Sequence, residues 1–187
     1  MIHPIKHFRL VHRHRMAVMR HCCMAGIPWQ GLVHDLSKFS PSEFIPGVKY
    51  FMGYKSPNVR ERDLWGYSSA WLHHKGRNKH HFEYWVDYNI KKHREEAVRM
   101  PGKYVVEMFC DRVAACKVYQ GSAYNDRKPL DYYLNGHAES AMHPETARVL
   151  ESWLRMLAEE GEAATFAYIK GLHRKVYDAH SLKKRRD

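Results

Sequence analysis

The stretch His143-Pro144-Glu145-Thr146-Ala147-Arg148-Val149-Leu150-Glu151-Ser152-Trp153-Leu154-Arg155-Met156-Leu157-Ala158-Glu159-Glu160-Gly161 decides the fold. Ala147, Leu150, Trp153, Leu154 and Leu157 recur at the three- and four-residue spacing that puts them on one face of an α-helix. Pro144 opens it, where a missing amide costs nothing, and Gly161 ends it. The same period spreads outward. Residues 5–25 carry two adjacent apolar stripes, one with Val11, Val18, Cys22 and Ala25, the other with Phe8, Met16, Met19 and Cys23. Gly26 and Pro28 stop that helix. A short helix is expected over 30–39, with Leu32, Val33, Leu36 and Phe39 turned inward. Ser40-Pro41 reads as the start of a helix to residue 52, and Met52–Asn58 as a loop. Residues 60–75, 80–95, 102–120 and 162–180 read as further helices, with a polar loop at 121–128. Strand-like alternation is scarce, so the expectation is a single all-α domain over 1–182 and a basic tail at 183–187.

Composition sets the class. At 187 residues the chain is about one domain long. Hydrophobic residues at 44% and charged ones at 27% are globular values and exclude a disordered chain. No apolar run approaches the ~18 residues of a membrane span. The first residues scatter charges and histidines where a secretory signal would be apolar. Cys22, Cys23, Cys110 and Cys116 have no C-x-x-C spacing and read as reduced thiols of a cytoplasmic protein. Lys and Arg total 31 against 20 Asp and Glu, a net charge of +11. That excess points to a phosphate-containing small molecule, a nucleotide first, with nucleic acid as the alternative, and the missing span to no membrane partner. Oligomeric state is not legible. The 15 histidines are dispersed or paired, unlike a purification tag, and point to metal.

Asp35 follows His34 in the otherwise apolar text Gly31-Leu-Val-His34-Asp35-Leu-Ser-Lys38-Phe39. A lone buried carboxylate is costly unless paired, and an adjacent imidazole and carboxylate can reach one divalent ion. Asp111 lies mid-helix on the side of Met108, Ala114 and Ala115, so it meets either a metal or a buried cation. His14 falls on the Val11–Val18–Cys22 stripe, and His12, on the neighbouring stripe, is the competing choice.

In this order, H…HD…D resembles the HD-domain superfamily of metal-dependent phosphohydrolases. The resemblance rests on His14 four residues ahead of Val18, on Leu32-Val-His34-Asp35-Leu-Ser-Lys38, and on Phe109-Cys-Asp111-Arg-Val-Ala. It implies an all-α fold and one metal held by His14, His34, Asp35 and Asp111. The step from His14 to His34 is shorter than the family's usual spacing. The text around Trp71-Leu-His73-His74-Lys75-Gly76-Arg77-Asn78-Lys79-His80-His81 also resembles a short bacterial and phage-borne family without an assigned function. In two-metal HD enzymes extra histidines bind the second ion. The resemblance carries that role to one of His73 and His74 and to one of His80 and His81, with Glu83 as an outer partner.

The chemistry expected of such a site is hydrolysis of a phosphoester by a metal-bound hydroxide, with one or two ions (Mn, Fe, Zn, Co and Mg fit the donors equally). Asp35 and Lys38 are the candidate catalytic residues. Lys38, Lys75, Arg77 and Lys79 are the candidate phosphate contacts. Two other readings compete. HD-like proteins holding two irons activate dioxygen with similar ligands. A nucleic-acid-binding protein or nuclease would use the acid-free first 34 residues, with Lys6, Arg9, Arg13, Arg15 and Arg20, and the His74, Asn78, His81 set.

Overall fold

The computed structural model describes residues 3–183, with side chains through residue 172. The described residues form eight α-helices in one body: α1 (Pro4–Met24), α2 (Pro28–Val33), α3 (Pro41–Lys49), α4 (Pro57–Trp65), α5 (Ser69–Lys75), α6 (Gly102–Gln120), α7 (Lys128–Asn135) and α8 (Pro144–Lys183). The expectation of an all-α domain holds. Of the expected tail, residues 184–187 lie outside the described residues.

Six of the eight helices (α1 to α4, α7 and α8) begin with proline in the first turn, where no intrahelical amide is lost. α1 buries His7, Val11, His14, Val18, His21 and Cys22 along one stripe and packs mainly on α6 and α2. α6 is nearly enclosed, with Val105, Phe109, Cys110 and Val113 buried. α8 covers it through Leu150, Leu154 and Leu157, then bends at Gly161, whose φ of 80° interrupts the helix, and returns Phe166 and Ile169 to the same core. Phe109 meets Trp153 and Phe166 edge-on at 6.2 and 5.5 Å.

Three sequence expectations need correction. Residues 80–95 are not a helix. After one 3-10 turn (Phe82–Trp85) they enter a hairpin of β1 (Val86–Asn89) and β2 (Arg94–Ala97), paired Val86 to Ala97 and Asn89 to Arg94. Asn89 turns the corner, its side-chain carbonyl accepting from the Lys91 and Lys92 amides, while His93 takes φ 51°. Residues 60–75 form two helices, because Gly66 at φ 77° ends α4 and Ser68 caps α5 through the Trp71 amide. The expected helix over 30–39 breaks at His34, and Leu32, Val33, Leu36 and Phe39 are 36–53% exposed instead of inward. α2 rests on α1 by its backbone: a Cβ on Gly31 would sit 2.8 Å from the Cys22 Cβ. The kink that follows buries His34 and Asp35 in place of the aliphatic residues.

Candidate metal centre

The break after α2 builds the centre. His34 is extended (φ −53°, ψ 129°) and Asp35 is left-handed (φ 54°), a region Asp enters more readily than most L-residues. Both are 1% exposed. α1 brings His14 and α6 brings Asp111 to the same point. His14 Nε2 lies 3.0 Å from Asp111 Oδ1 and 3.8 Å from Asp35 Oδ2, while His34 Nε2 lies 3.2 Å from Asp35 Oδ2 and 3.7 Å from Asp111 Oδ1. His14, not His12, occupies the site: His14 is buried, whereas His12 is exposed and stacks on Phe8.

The other oxygen of Asp35 faces the histidines of the middle segment. Oδ1 is 3.3 Å from His74 Nε2 and 3.5 Å from His80 Nε2. His81 joins them, so both members of that pair converge, with His80 buried and His81 nearly so. His73 does not converge; its Nδ1 donates to Glu43 Oε1 at 2.7 Å. The turn after α5 explains the selection. Asn78 Nδ2 donates to the His74 carbonyl and to Ser37 Oγ, both at 2.8 Å, drawing the segment onto the Leu36–Phe39 turn.

Two buried carboxylates orient the imidazoles. Glu43 Oε2 accepts from His74 Nδ1 at 2.7 Å. Glu107 Oε1 lies 3.1 Å from His34 Nδ1 and 3.2 Å from His80 Nδ1. A carboxylate can only accept, so each Nδ1 carries a proton, and each Nε2 is left facing Asp35. Sequence reasoning named neither glutamate; each looks like an ordinary helical acid, and only the helix packing shows it facing two histidines.

The atoms at the centre lack hydrogen-bond partners. His14 Nε2, His34 Nε2, His80 Nε2, His81 Nε2 and both oxygens of Asp35 are buried and unpaired in hydrogen-bond geometry, despite the short distances among them. Unpaired buried polar atoms are rare, and four imidazole nitrogens around one carboxylate fit a cation. Two four-residue groups share Asp35: His14, His34, Asp35 and Asp111, and Asp35, His74, His80 and His81. In each, the ligand atoms lie within 4.8 Å of one another, so these buried clusters could hold a metal ion.

The electrostatics divide the imidazoles: against their burial, Asp35 and the other carboxylates beside them raise His34 and His74, so a metal there would have to displace a proton from each. Burial alone would raise the Asp35 carboxyl, but His34, Lys38 and His74 hold it well below the usual range. Asp111 is likewise held low, because the His14 and His34 imidazoles beside it outweigh its burial. Burial, reinforced by the neighbouring Lys38 charge, lowers His14, and burial with the neighbouring His80 and His74 lowers His81. Both acids are therefore charged and both of these imidazoles neutral, the states that ligate. Lys38 Nζ sits 2.5 Å from Asp35 Oδ2 on a side chain that is 31% exposed, at the border between the centre and a cavity.

That cavity, of about 840 Å³, is lined by His14, His74, His81 and Asp111. Its cations are Lys38, Lys55, Arg62 and Arg112, and Trp71, Phe82, Tyr119 and Tyr132 add apolar surface. Lys75, Arg77 and Lys79, expected as phosphate contacts, do not line it. The turn that points His74 and His80 inward points these three outward, and Lys79 lies over the Tyr84 ring at 5.8 Å. Glu83 does line the cavity, with a buried unpaired Oε2. Among the described residues, no helix is long and apolar enough to cross a membrane.

The model of DUF5662, a family of unknown function, matches residues 3–156, a span that contains every residue of the centre, and the chain belongs to that family. No curated protein and no solved structure matches it.

Proposed function

We propose that this member of DUF5662 is a metal-dependent phosphohydrolase acting on a nucleotide or another small phosphoester. The observation that carries the reading is the set of unpaired imidazole nitrogens converging on Asp35 at the edge of a cation-lined cavity. The order H…HD…D and the all-α fold support the resemblance to the HD-domain superfamily. His14, His34, Asp35 and Asp111 would hold one divalent ion, and Asp35, His74, His80 and His81 a second. Such ions supply water of lowered pKa and neutralise phosphoryl oxygens.

The chain's own residues do the rest. Glu43 and Glu107 fix the imidazole tautomers. Lys38 stands where it can pass from Asp35 to a substrate phosphate, and Lys55, Arg62 and Arg112 add positive charge along the wall. Trp71 and Phe82 offer apolar surface to the rest of the substrate. The test is elemental analysis of untagged protein together with phosphate release from a nucleotide panel under anaerobic conditions, with Asp35→Ala as control. Metal in stoichiometric amount and release that disappears in the variant support the reading. Release unchanged by Asp35→Ala overturns it.

The imidazole-rich donor set with one shared carboxylate favours a second reading, a di-iron oxygenase. Oxygen consumption by the ferrous protein, without phosphate release, would select it.

A further inference from the structure

We propose that the outer face of α1, with α2 and the turn after it, docks on an anionic lipid surface. This inference is independent of the reaction at the metal centre. The inner stripe of α1 is spent on the core, yet its outer side is itself amphipathic. Ile5, Phe8 and Met16 line one edge, and Lys6, Arg9 and Arg20 stand beside them. The kink at His34 extends the apolar edge with Trp29, Leu32 and Leu36. These six apolar side chains are 48–66% exposed. The two parts are one surface: Phe8 meets Phe39 at 5.8 Å, and Arg15 lies over the Phe39 ring while donating to the Leu32 and His34 carbonyls.

Six exposed apolar side chains gathered on one face mark an interaction site. Its charge limits the partner. No Asp or Glu occurs among the first 34 residues, and Lys6, Arg9 and Arg20 have no ion-pair partner among the described residues. A second copy packed symmetrically would bring this basic row against itself, with no acid on the face to answer it. The occupant must therefore supply negative charge and an apolar phase together. Nucleic acid supplies the charge and stacks on flat rings, but it leaves Ile5, Leu32 and Leu36 unused. A bilayer with anionic headgroups takes aliphatic and aromatic side chains into its acyl boundary and pairs the arginines with phosphate. The earlier expectation of no membrane partner rests on the missing spanning segment, and a protein lying in the headgroup layer needs none.

The experiment is co-sedimentation of the full chain with vesicles of phosphatidylcholine alone and of an equal mixture of phosphatidylcholine and phosphatidylglycerol. The mixed vesicles should carry the protein down and the neutral ones should not. Arg9→Glu/Arg20→Glu should weaken partitioning at least about tenfold. Trp29→Ala should weaken it several-fold with the charge unchanged. Arg60→Glu/Lys91→Glu alters net charge equally from exposed positions on α4 and the hairpin, and should stay within about twofold of wild type. The proposal is overturned if the mixed vesicles leave the protein in solution. It is also overturned if the control pair loses as much as the Arg9/Arg20 pair, which would mean attraction without a face. A third refuting result is that Arg9→Glu/Arg20→Glu abolishes oligonucleotide binding or dimerisation while lipid partitioning is unchanged.

Discussion

The α1–α6 pair is two different interiors on the same two helices. Toward one end Val18 and Cys22 meet Phe109 and Val113, and α8 seals them with Leu150, Leu154 and Phe166. Toward the other, His14 meets Asp111, and Glu107 reaches across to His34 and His80. The first interior is complete, because apolar groups need only contact. The second is largely buried, with Asp111 and His81 half-buried beside the cavity, and leaves nitrogen and oxygen atoms unpaired. The helices therefore owe their association to the apolar end and lend the polar end a rigid frame. The contrast also separates the groups that stabilise the chain from those that could hold a cation.

The largest effect that would break this contrast is at Asp35. Asp35→Ala should lower metal affinity by more than the ~10–100-fold typical of losing an outer partner, and abolish activity. Its far-UV circular dichroism should stay helical, because no apolar contact of α6 with α8 is touched. Metal should raise the thermal midpoint of wild type and not of the variant. Full metal content in the variant would mean that the centre is wrongly assigned.

At the apolar end, Leu154→Ala should cost about 2–5 kcal/mol in chemical denaturation while the metal per chain stays constant. A variant that unfolds no more easily but loses metal would reverse the assignment of the two ends.

His21 gives the apolar end a pH signature. It is 3% exposed, its Nδ1 faces the Cys110 carbonyl at 3.3 Å, and its ring stacks on Phe166. Burial lowers its pKa from 6.5 to about 4. The unfolded chain takes up the proton first, so stability falls as pH drops through that window. The loss approaches 3 kcal/mol as an order-of-magnitude figure. His21→Gln should flatten the dependence of unfolding free energy on pH between these limits, and an unchanged slope would remove His21 from the account.

Glu107→Gln should weaken metal binding by ~10–100-fold, since an amide can meet either imidazole nitrogen wrongly protonated. The smallest effect expected is at Arg77 and Lys79, whose alanine variants should leave kcat/KM within about twofold, in contrast to Arg112→Ala on the cavity wall.

The two interiors were unequally legible in the sequence. The first part of α8 could be read from Ala147 to Gly161 because a long helix repeats its period several times, and the positive φ of Gly161 marks where that part stops. Asp35 and Asp111 could be singled out because an acid among apolar neighbours has few bland explanations. Glu43 and Glu107 could not, since their significance lies in which histidines face them from other helices. Leu32 and Leu36 misled for a related reason. Their spacing is helical, but the chain spends its turn inward on His34 and Asp35, and no local preference announces that choice. The hairpin was hidden in a segment too short to show two-residue alternation against a polar background.

Gly31 has no chemistry, yet the register of the whole centre hangs on it. A methyl group there would meet the Cys22 Cβ at 2.8 Å and the Met19 backbone at 3.0 Å. It would lever α2 off α1 and carry the His34 imidazole with it. The tolerance of the candidate metal centre to drift is thus set from behind, by how thin the spacer between two helices is allowed to be.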